Sequence, residues 1–278
     1  MNILELTLLI WLGSLLAGFL GALTGLGGGI VITPLLTLLF GIDIRYAIGA
    51  ALVSVIATSS GAAAAYVKEG FTNIRIGMFL EIATTVGAVL GASLASRLPT
   101  SSLAIIFGIV LLYSAYASSR ATAPPSVEDR PNRLASFLRL DSTFPTAHGL
   151  QSYHVPGVPA GFSRMFVAGT LSGLLGIGSG AVKVIAMDQA MRVPFKVSTT
   201  TSNFMIGVTA AASAGVYLQR GYIDPGLAMP VMLGVLMGSL IGARILPRTP
   251  TASLRVVFGI VVAVLAVEMI YHGITGRL

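Results

Sequence analysis

The sequence predicts an all-α polytopic membrane protein built from two inverted repeats, and three observations lead there. First, the chain is 55% hydrophobic and 10% charged, with a mean hydropathy of +0.89. Soluble domains carry roughly 25% charged residues. A chain of 278 residues has too little interior to hide this much apolar surface, so lipid must be its solvent. Second, residues 17–110 fall on residues 168–261 with a constant shift of 151 and no gap, and about 25 aligned pairs are identical. Duplicated halves in an apolar chain are the mark of a transporter or channel. Third, Lys and Arg gather on alternate connections between apolar runs, which tests how many times each half crosses the bilayer.

Five apolar segments occupy each half. They are roughly 6–24, 30–41, 45–67, 74–96 and 102–118, then 162–178, 181–191, 198–218, 225–246 and 252–271. The first resembles a secretory signal but lacks a basic n-region and is partly matched by 168–174, so it is expected to be retained. The second segment of each half, about 12 residues, is too short for an upright crossing, which takes about 20. It is separated from the first by Gly25-Leu-Gly27-Gly28-Gly29, repeated as Gly176-Ile-Gly178-Ser179-Gly180. From Arg164 to Gly176, and from Gly180 to Arg192, the chain runs 12 residues. That is about 18 Å of helix, against about 15 Å for half a hydrocarbon core. Segments one and two therefore form either a re-entrant hairpin broken at the glycines or two short steep spans. Segments three, four and five span, for 8–10 transmembrane segments in all.

Either option gives an odd number of net crossings per half and inverts one half relative to the other. One face then receives twelve Lys and Arg residues and the other four, with Lys183 left out; fusing the first two segments into one span gives nine against seven. The positive-inside rule selects the first count, placing the rich face in the cytoplasm and both termini outside. Residues 1–119 form the first membrane repeat, 120–161 a cytoplasmic linker, and 162–278 the second repeat. The linker holds Pro124-Pro125, Glu128-Asp129-Arg130-Pro131 and Val155–Pro159, with a small amphipathic piece expected at Leu134–Leu140.

Composition also excludes functions. There is no cysteine, and His148, His154 and His272 are assigned to loop or tail, so no metal, cofactor or catalytic histidine is expected and the protein is not an enzyme. No Walker-type loop is present to drive it with ATP. The net charge of +7 sets membrane orientation rather than a nucleic-acid surface. The expected partners are the lipid bilayer and a small anionic substrate.

Several residues could hold that anion. The glycine clusters Gly25, Gly27, Gly28 and Gly29, and Gly176, Gly178, Ser179 and Gly180, read as unwound turns whose N–H groups and following helix ends favour negative charge; close helix packing is the alternative. The pairs Gly87/Gly91 and Gly238/Gly242 have small-xxx-small spacing and read as packing. Lys183 lies one turn beyond Gly180, where a lysine costs about 3 kcal/mol or more. It must meet an anion, Asp188 or Glu81, or else snorkel to an interface. Thr199, Thr200, Thr201, Ser202 and Asn203 could bind oxyanion oxygens or simply begin a helix. Thr33-Pro34 could hold a kink or free a carbonyl, and Ser54, Thr58, Ser59 and Ser60 could line the same cavity. Glu81, about 10 Å into its span, could carry a coupling proton or serve as a structural partner; Asp188 is the other coupling candidate.

Gly25-Leu-Gly-Gly-Gly-Ile-Val-Ile-Thr-Pro34, its repeat from Gly176, and Lys196-Val-Ser-Thr-Thr-Thr-Ser202 resemble the TauE/SafE sulfite exporter family of permeases. The resemblance covers roughly 15–118 and 165–270. It implies a prokaryotic-type cytoplasmic-membrane transporter for sulfite, sulfonates or related small sulfur anions. An anion channel and a permease for a small carboxylate are the alternatives. Ser179 stands where the family often has glycine, Lys183-Val-Ile185 replaces a stretch that commonly contains proline, and Ala50-Ala51 replaces the usual Thr-Ser. The halves are therefore expected to play unequal roles.

Overall fold

The structure, a computed structural model, describes residues 2–24, 29–68, 70–119, 133–146, 149–178, 180–245 and 251–276. In the first half α1 spans Ile3–Thr24, α2 Gly29–Pro34 with a π-helical turn at Leu35–Leu39, α3 Ile44–Lys68, α4 Ile74–Ala95 and α5 Thr100–Ser119. A short α6, Arg133–Phe137, and an antiparallel hairpin, β1 Ser142–Thr146 and β2 Gly149–Tyr153, follow. The second half holds α7 Val158–Leu175, α8 Gly180–Ile185 with a π turn at Ala186–Ala190, α9 Phe195–Gln219, α10 Pro225–Ile245 and α11 Thr251–Thr275.

The repeat in sequence is a repeat in backbone. With the same shift of 151, α2 begins where α8 begins, the π turns coincide, and α3 matches α9 at both ends. The left-handed residues match too: Gly41 at φ 63° with Arg192 at 48°, and Gly70 at 73° with Gly221 at 74°. Asn73 accepts a bond from the Ile76 N–H at 3.1 Å to begin α4, and its counterpart Asp224 accepts one from the Gly226 N–H at 2.8 Å at the start of α10. The π turn follows Pro34 in one half and Ile185 in the other, so proline does not cause it, against the sequence expectation that Pro34 holds the kink.

Packing follows the same exchange. Helix α1 packs on α10 as α7 packs on α4, and α3 on α10 as α9 on α4; α3 meets α9, and α5 meets α11. Ser59 faces Gly207 while Gly49 faces Tyr222, so α3 and α9 run antiparallel. Gly108 faces Ala266–Ile270 while Gly273 faces Ser101–Ile105, so α5 and α11 do likewise. Counterpart helices that meet tail to head are what a two-fold axis across the helices produces. The swapped pairs run parallel instead: Gly87 lies against Phe166 and Thr170, and Gly91 against Thr170 and Leu174. A Cβ on either glycine would strike the α7 backbone, and one on Gly169 or Gly173 would strike α4. These glycines serve close approach, as their spacing predicts.

Rows spaced four residues apart face outward and are apolar: Leu4, Leu8, Leu12 and Leu16 on α1, Met78, Ile82, Val86 and Leu90 on α4, and Met229, Leu233 and Met237 on α10. Each of these three helices is long and apolar enough to cross a membrane. Helices α3 and α9 sit between them, and polar side chains of α9 (Ser198, Thr201, Thr209, Ser213) are buried in protein.

The second segment of the second half re-enters. Gly157 and Gly161, at the start of α7, lie against Ala190 and Met191, at the end of the π turn, so the chain returns to the end it left. Helix α7 has 18 residues, about 27 Å. It exceeds the arm measured from Arg164 because it starts at Val158.

The linker departs from the all-α expectation. Helix α6 falls inside the stretch expected to be amphipathic, whereas the hairpin β1–β2, with Pro145 in its first strand, is not expected from the sequence. A two-stranded hairpin tolerates proline at its open edge. His154 is partly exposed beside Asp141 at 3.3 Å, and His148 lies outside the described residues. His272, assigned to the tail by sequence, is in the last turn of α11, 3.7 Å from Glu268 one turn earlier.

Candidate functional site

The second glycine turn is a built feature. Gly176 at φ 68° and Gly178 at φ 67° adopt the left-handed backbone that closes α7 and aims the chain back into α8. Gly176, Ile177 and Gly178 are buried. A Cβ on Gly29, the first residue of α2, would lie 3.4 Å from the Gly176 carbonyl oxygen. The start of α2 thus meets the bend of the second-half hairpin, packed between α3 and α9 through Val55 and Ile206. The Gly176 N–H is not free: it donates to the Ser172 carbonyl at 2.8 Å. Gly25, Gly27, Gly28 and Ser179 lie outside the described residues.

Lys183 is the centre of the site. It is 0% exposed on α8, so it does not snorkel. Its Nζ donates to the Thr209 hydroxyl at 2.6 Å, and that hydroxyl lies 2.7 Å from Glu81 Oε1. Lysine has three N–H donors, and the other two have no partner among the described residues. The Thr85 hydroxyl also donates to Glu81 Oε1, at 3.2 Å. Glu81 Oε2 is buried without a partner. Three helices, α4, α8 and α9, therefore hold an ammonium and a carboxylate joined through one hydroxyl. Neither charge could be buried alone at acceptable cost. Asp188, the other partner considered for Lys183, is half-buried in the π turn.

The hydroxyl run on α9 divides. The helix begins at Phe195, so the run sits inside it rather than at its cap. Thr199 and Thr200 bond back to α9 carbonyls at Phe195 (2.9 Å) and Lys196 (3.0 Å). Thr201 accepts from the Asn73 N–H at 3.1 Å, and Ser202 donates to the Gly180 carbonyl at 3.2 Å. Asn203 is half-buried. Only Ser202 of the five bonds the hairpin that carries Lys183. In the first half Thr33 is fully buried with an unpartnered hydroxyl, beside buried Pro34. Ser54, Thr58, Ser59 and Ser60 all turn onto carbonyls of α3.

Sequence reasoning missed Thr209, Thr85 and Asn73. Thr209 carried a signal: it is one of the identical pairs of the repeat, matching Thr58. Asn73 joins three regions. Its side-chain amide donates to the Leu140 carbonyl at 3.0 Å and the Tyr153 hydroxyl at 2.7 Å, while its backbone N–H holds Thr201. Burial pushes the Tyr153 phenol up from its ordinary range, which keeps it protonated beneath the hairpin.

Helices with outward apolar rows, a re-entrant hairpin and an ionic centre around buried Lys183 define a polytopic membrane protein with a polar interior at the junction of its halves. The comparisons make that class specific. The sequence profile described as sulfite exporter TauE/SafE matches residues 10–269. The chain is 29% identical over 279 residues to the probable membrane transporter protein YunE of Bacillus subtilis (strain 168), covering 98% of this chain and 99% of that one. It is 25% identical over 283 residues to the probable membrane transporter protein MJ0441 of Methanocaldococcus jannaschii, covering 96% of each. No solved structure matches. The chain belongs to the sulfite exporter TauE/SafE family, and it is a membrane transporter.

Proposed function

We propose that this transporter moves a small anion, a sulfur oxyanion or organosulfonate of the sulfite type, across the cytoplasmic membrane, with Lys183 as the group that holds it. The observation that carries this reading is a fully buried ammonium with two N–H donors unfilled among the described residues, one helical turn beyond the bend that the start of α2 meets. A buried cation with spare donors recognises an anion, and charge-assisted bonds of that kind are about twice as strong as neutral ones. The backbone at Gly178 and Gly180 of this hairpin, braced by Ser202 of α9 through its bond to the Gly180 carbonyl, would orient its oxygens. Access alternates as the two parallel-paired groups, α4 with α7 to α9 and α10 with α1 to α3, rock about the α3–α9 contact. The charge count puts the 120–161 linker in the cytoplasm and both termini outside.

Thermal shifts of the purified protein with sulfite, thiosulfate, methanesulfonate and acetate test the site. Wild type gains stability with sulfite and methanesulfonate, and Lys183→Ala, folded by size-exclusion chromatography, loses about 100-fold in affinity. That figure follows from about 1.5–3 kcal/mol for a bond to a charged group and tenfold per about 1.4 kcal/mol. Equal shifts in the variant would remove Lys183 from the site; a response to acetate alone would make the protein a carboxylate permease.

A further inference from the structure

The ionic centre holds more than an anion site needs. Glu81 reaches Lys183 only through Thr209, and one of its two oxygens, Oε2, is buried with no hydrogen-bond partner. A carboxylate that is only structural would be expected to spend both oxygens, because an unmade bond in the interior is costly. An unpartnered buried carboxylate oxygen is a place where a proton can settle.

We infer that Glu81 is the proton-binding group of the transport cycle, and that the protein takes up one proton with each singly charged anion. This rests on the reading of Lys183 as the anion's partner. The argument is charge balance in a medium that tolerates little net charge. With the site empty, Lys183 and ionised Glu81 sum to zero. A monoanion arriving at Lys183 brings the sum to minus one, and a proton on Glu81 Oε2 restores zero. Thr209 can follow the change. When Glu81 is ionised the Thr209 hydroxyl donates to Oε1, and when it is protonated the same hydroxyl can turn to the Met205 carbonyl, 3.0 Å away. The ammonium keeps its bond to the Thr209 oxygen in both states and is released from its charge partner. A dianion would leave the site one charge short, so the centre selects monoanions.

The other charged groups on the packed elements leave this pair to itself among the described residues. Arg75 and Lys196 stand in the first turns of α4 and α9, Arg164 is exposed on α7, and Asp188 lies in the π turn beyond α8. Neither the carboxylate of Glu81 nor the ammonium of Lys183 makes an ion pair closer than the link through Thr209.

The test uses the full-length protein in detergent and methanesulfonate, whose charge does not change between pH 5.5 and 8.5. Calorimetry should show wild-type affinity rising as pH falls, by about ten-fold per pH unit where Glu81 is ionised in the empty protein, which is the slope for one linked proton. Glu81→Gln should bind with one affinity at every pH, at least as tightly as wild type does at pH 5.5. Glu81→Asp should restore the pH dependence, which separates titration from packing. In proteoliposomes, an inward proton gradient should accumulate methanesulfonate with wild type, whereas Glu81→Gln should exchange it without accumulation. Accumulation by Glu81→Gln, pH-independent binding by wild type, or no binding by wild type at pH 5.5 would each overturn proton coupling. Undiminished binding by Lys183→Ala would instead overturn the anion site on which it rests.

Discussion

The two halves share one backbone and differ in what they place at its centre. In the second half the re-entrant hairpin carries Lys183, which reaches Thr209 on the central helix and, through it, Glu81 on the swapped helix α4. At the matching positions stand Ile32 and Thr58 in the first half and Met232 on the swapped helix α10. Ile32 is fully buried in an apolar cluster, and the Thr58 hydroxyl folds back onto the Ser54 carbonyl at 3.1 Å. The run Thr201-Ser202 is matched by buried Ala50-Ala51. The fold therefore does not need the charge. It has one hairpin that packs and one that packs and carries a cation, so the symmetric framework supplies the movement and the asymmetric chemistry supplies the ligand.

The largest effect should come from moving the charge across the axis. Ile32→Lys places a lysine among Ile30, Leu52 and their neighbours, at a cost of about 3 kcal/mol or more on insertion. Most of the variant should be lost from the membrane fraction. Adding Met232→Glu supplies the missing carboxylate opposite a threonine already in place, and should recover folded protein, read as monodisperse yield after purification. If the pair fares no better than Ile32→Lys alone, the halves are not interchangeable frameworks.

A smaller effect separates the two threonines. Thr209→Val removes the link between Lys183 and Glu81 and leaves both facing each other without a bridge; anion affinity should drop about ten-fold, the worth of one hydrogen bond to a charged group. Thr58→Val removes a bond that α3 makes to itself, and affinity should stay within about two-fold, the change expected of a side chain with no charged partner. Equal effects on methanesulfonate binding would mean that the relay does nothing for the site.

Most of the framework could be read from sequence because it is written twice. The segments, the inversion and the packing role of Gly87 and Gly91 follow from periodicity, length and repeat position; for Lys183 the sequence leaves burial and snorkelling open, and the structure selects burial. What escaped depends on contacts between segments far apart in sequence. Glu81 and Thr209 are separated by 128 residues, and no local pattern pairs them. The five residues from Thr199 to Asn203 divide for a local reason: a helix turns successive side chains by about 100°, so they cannot share one face. Thr199 and Thr200 satisfy their own helix, Thr201 meets Asn73, the cap of α4, and Ser202 reaches the hairpin.

The smallest contrast lies at the two helix caps. Asp224 only starts α10, and replacing it with alanine should cost about 1 kcal/mol, the usual worth of an N-cap. Asn73 caps α4 and also fastens the linker through Leu140 and Tyr153. Asn73→Ala should cost about 1–2 kcal/mol more, because two further buried bonds go unmade, and it should lower the melting temperature further than Asp224→Ala does. The Thr201 contact runs through the Asn73 backbone and survives both changes. If Asn73→Ala leaves anion binding intact while loosening the 133–157 region to proteolysis, the linker is held by the membrane domain without governing its site. If binding falls along with stability, the hairpin and α9 are coupled through this residue. Among the described residues no such hairpin sits at Asp224, so a coupling of this kind would act on one side of the molecule alone.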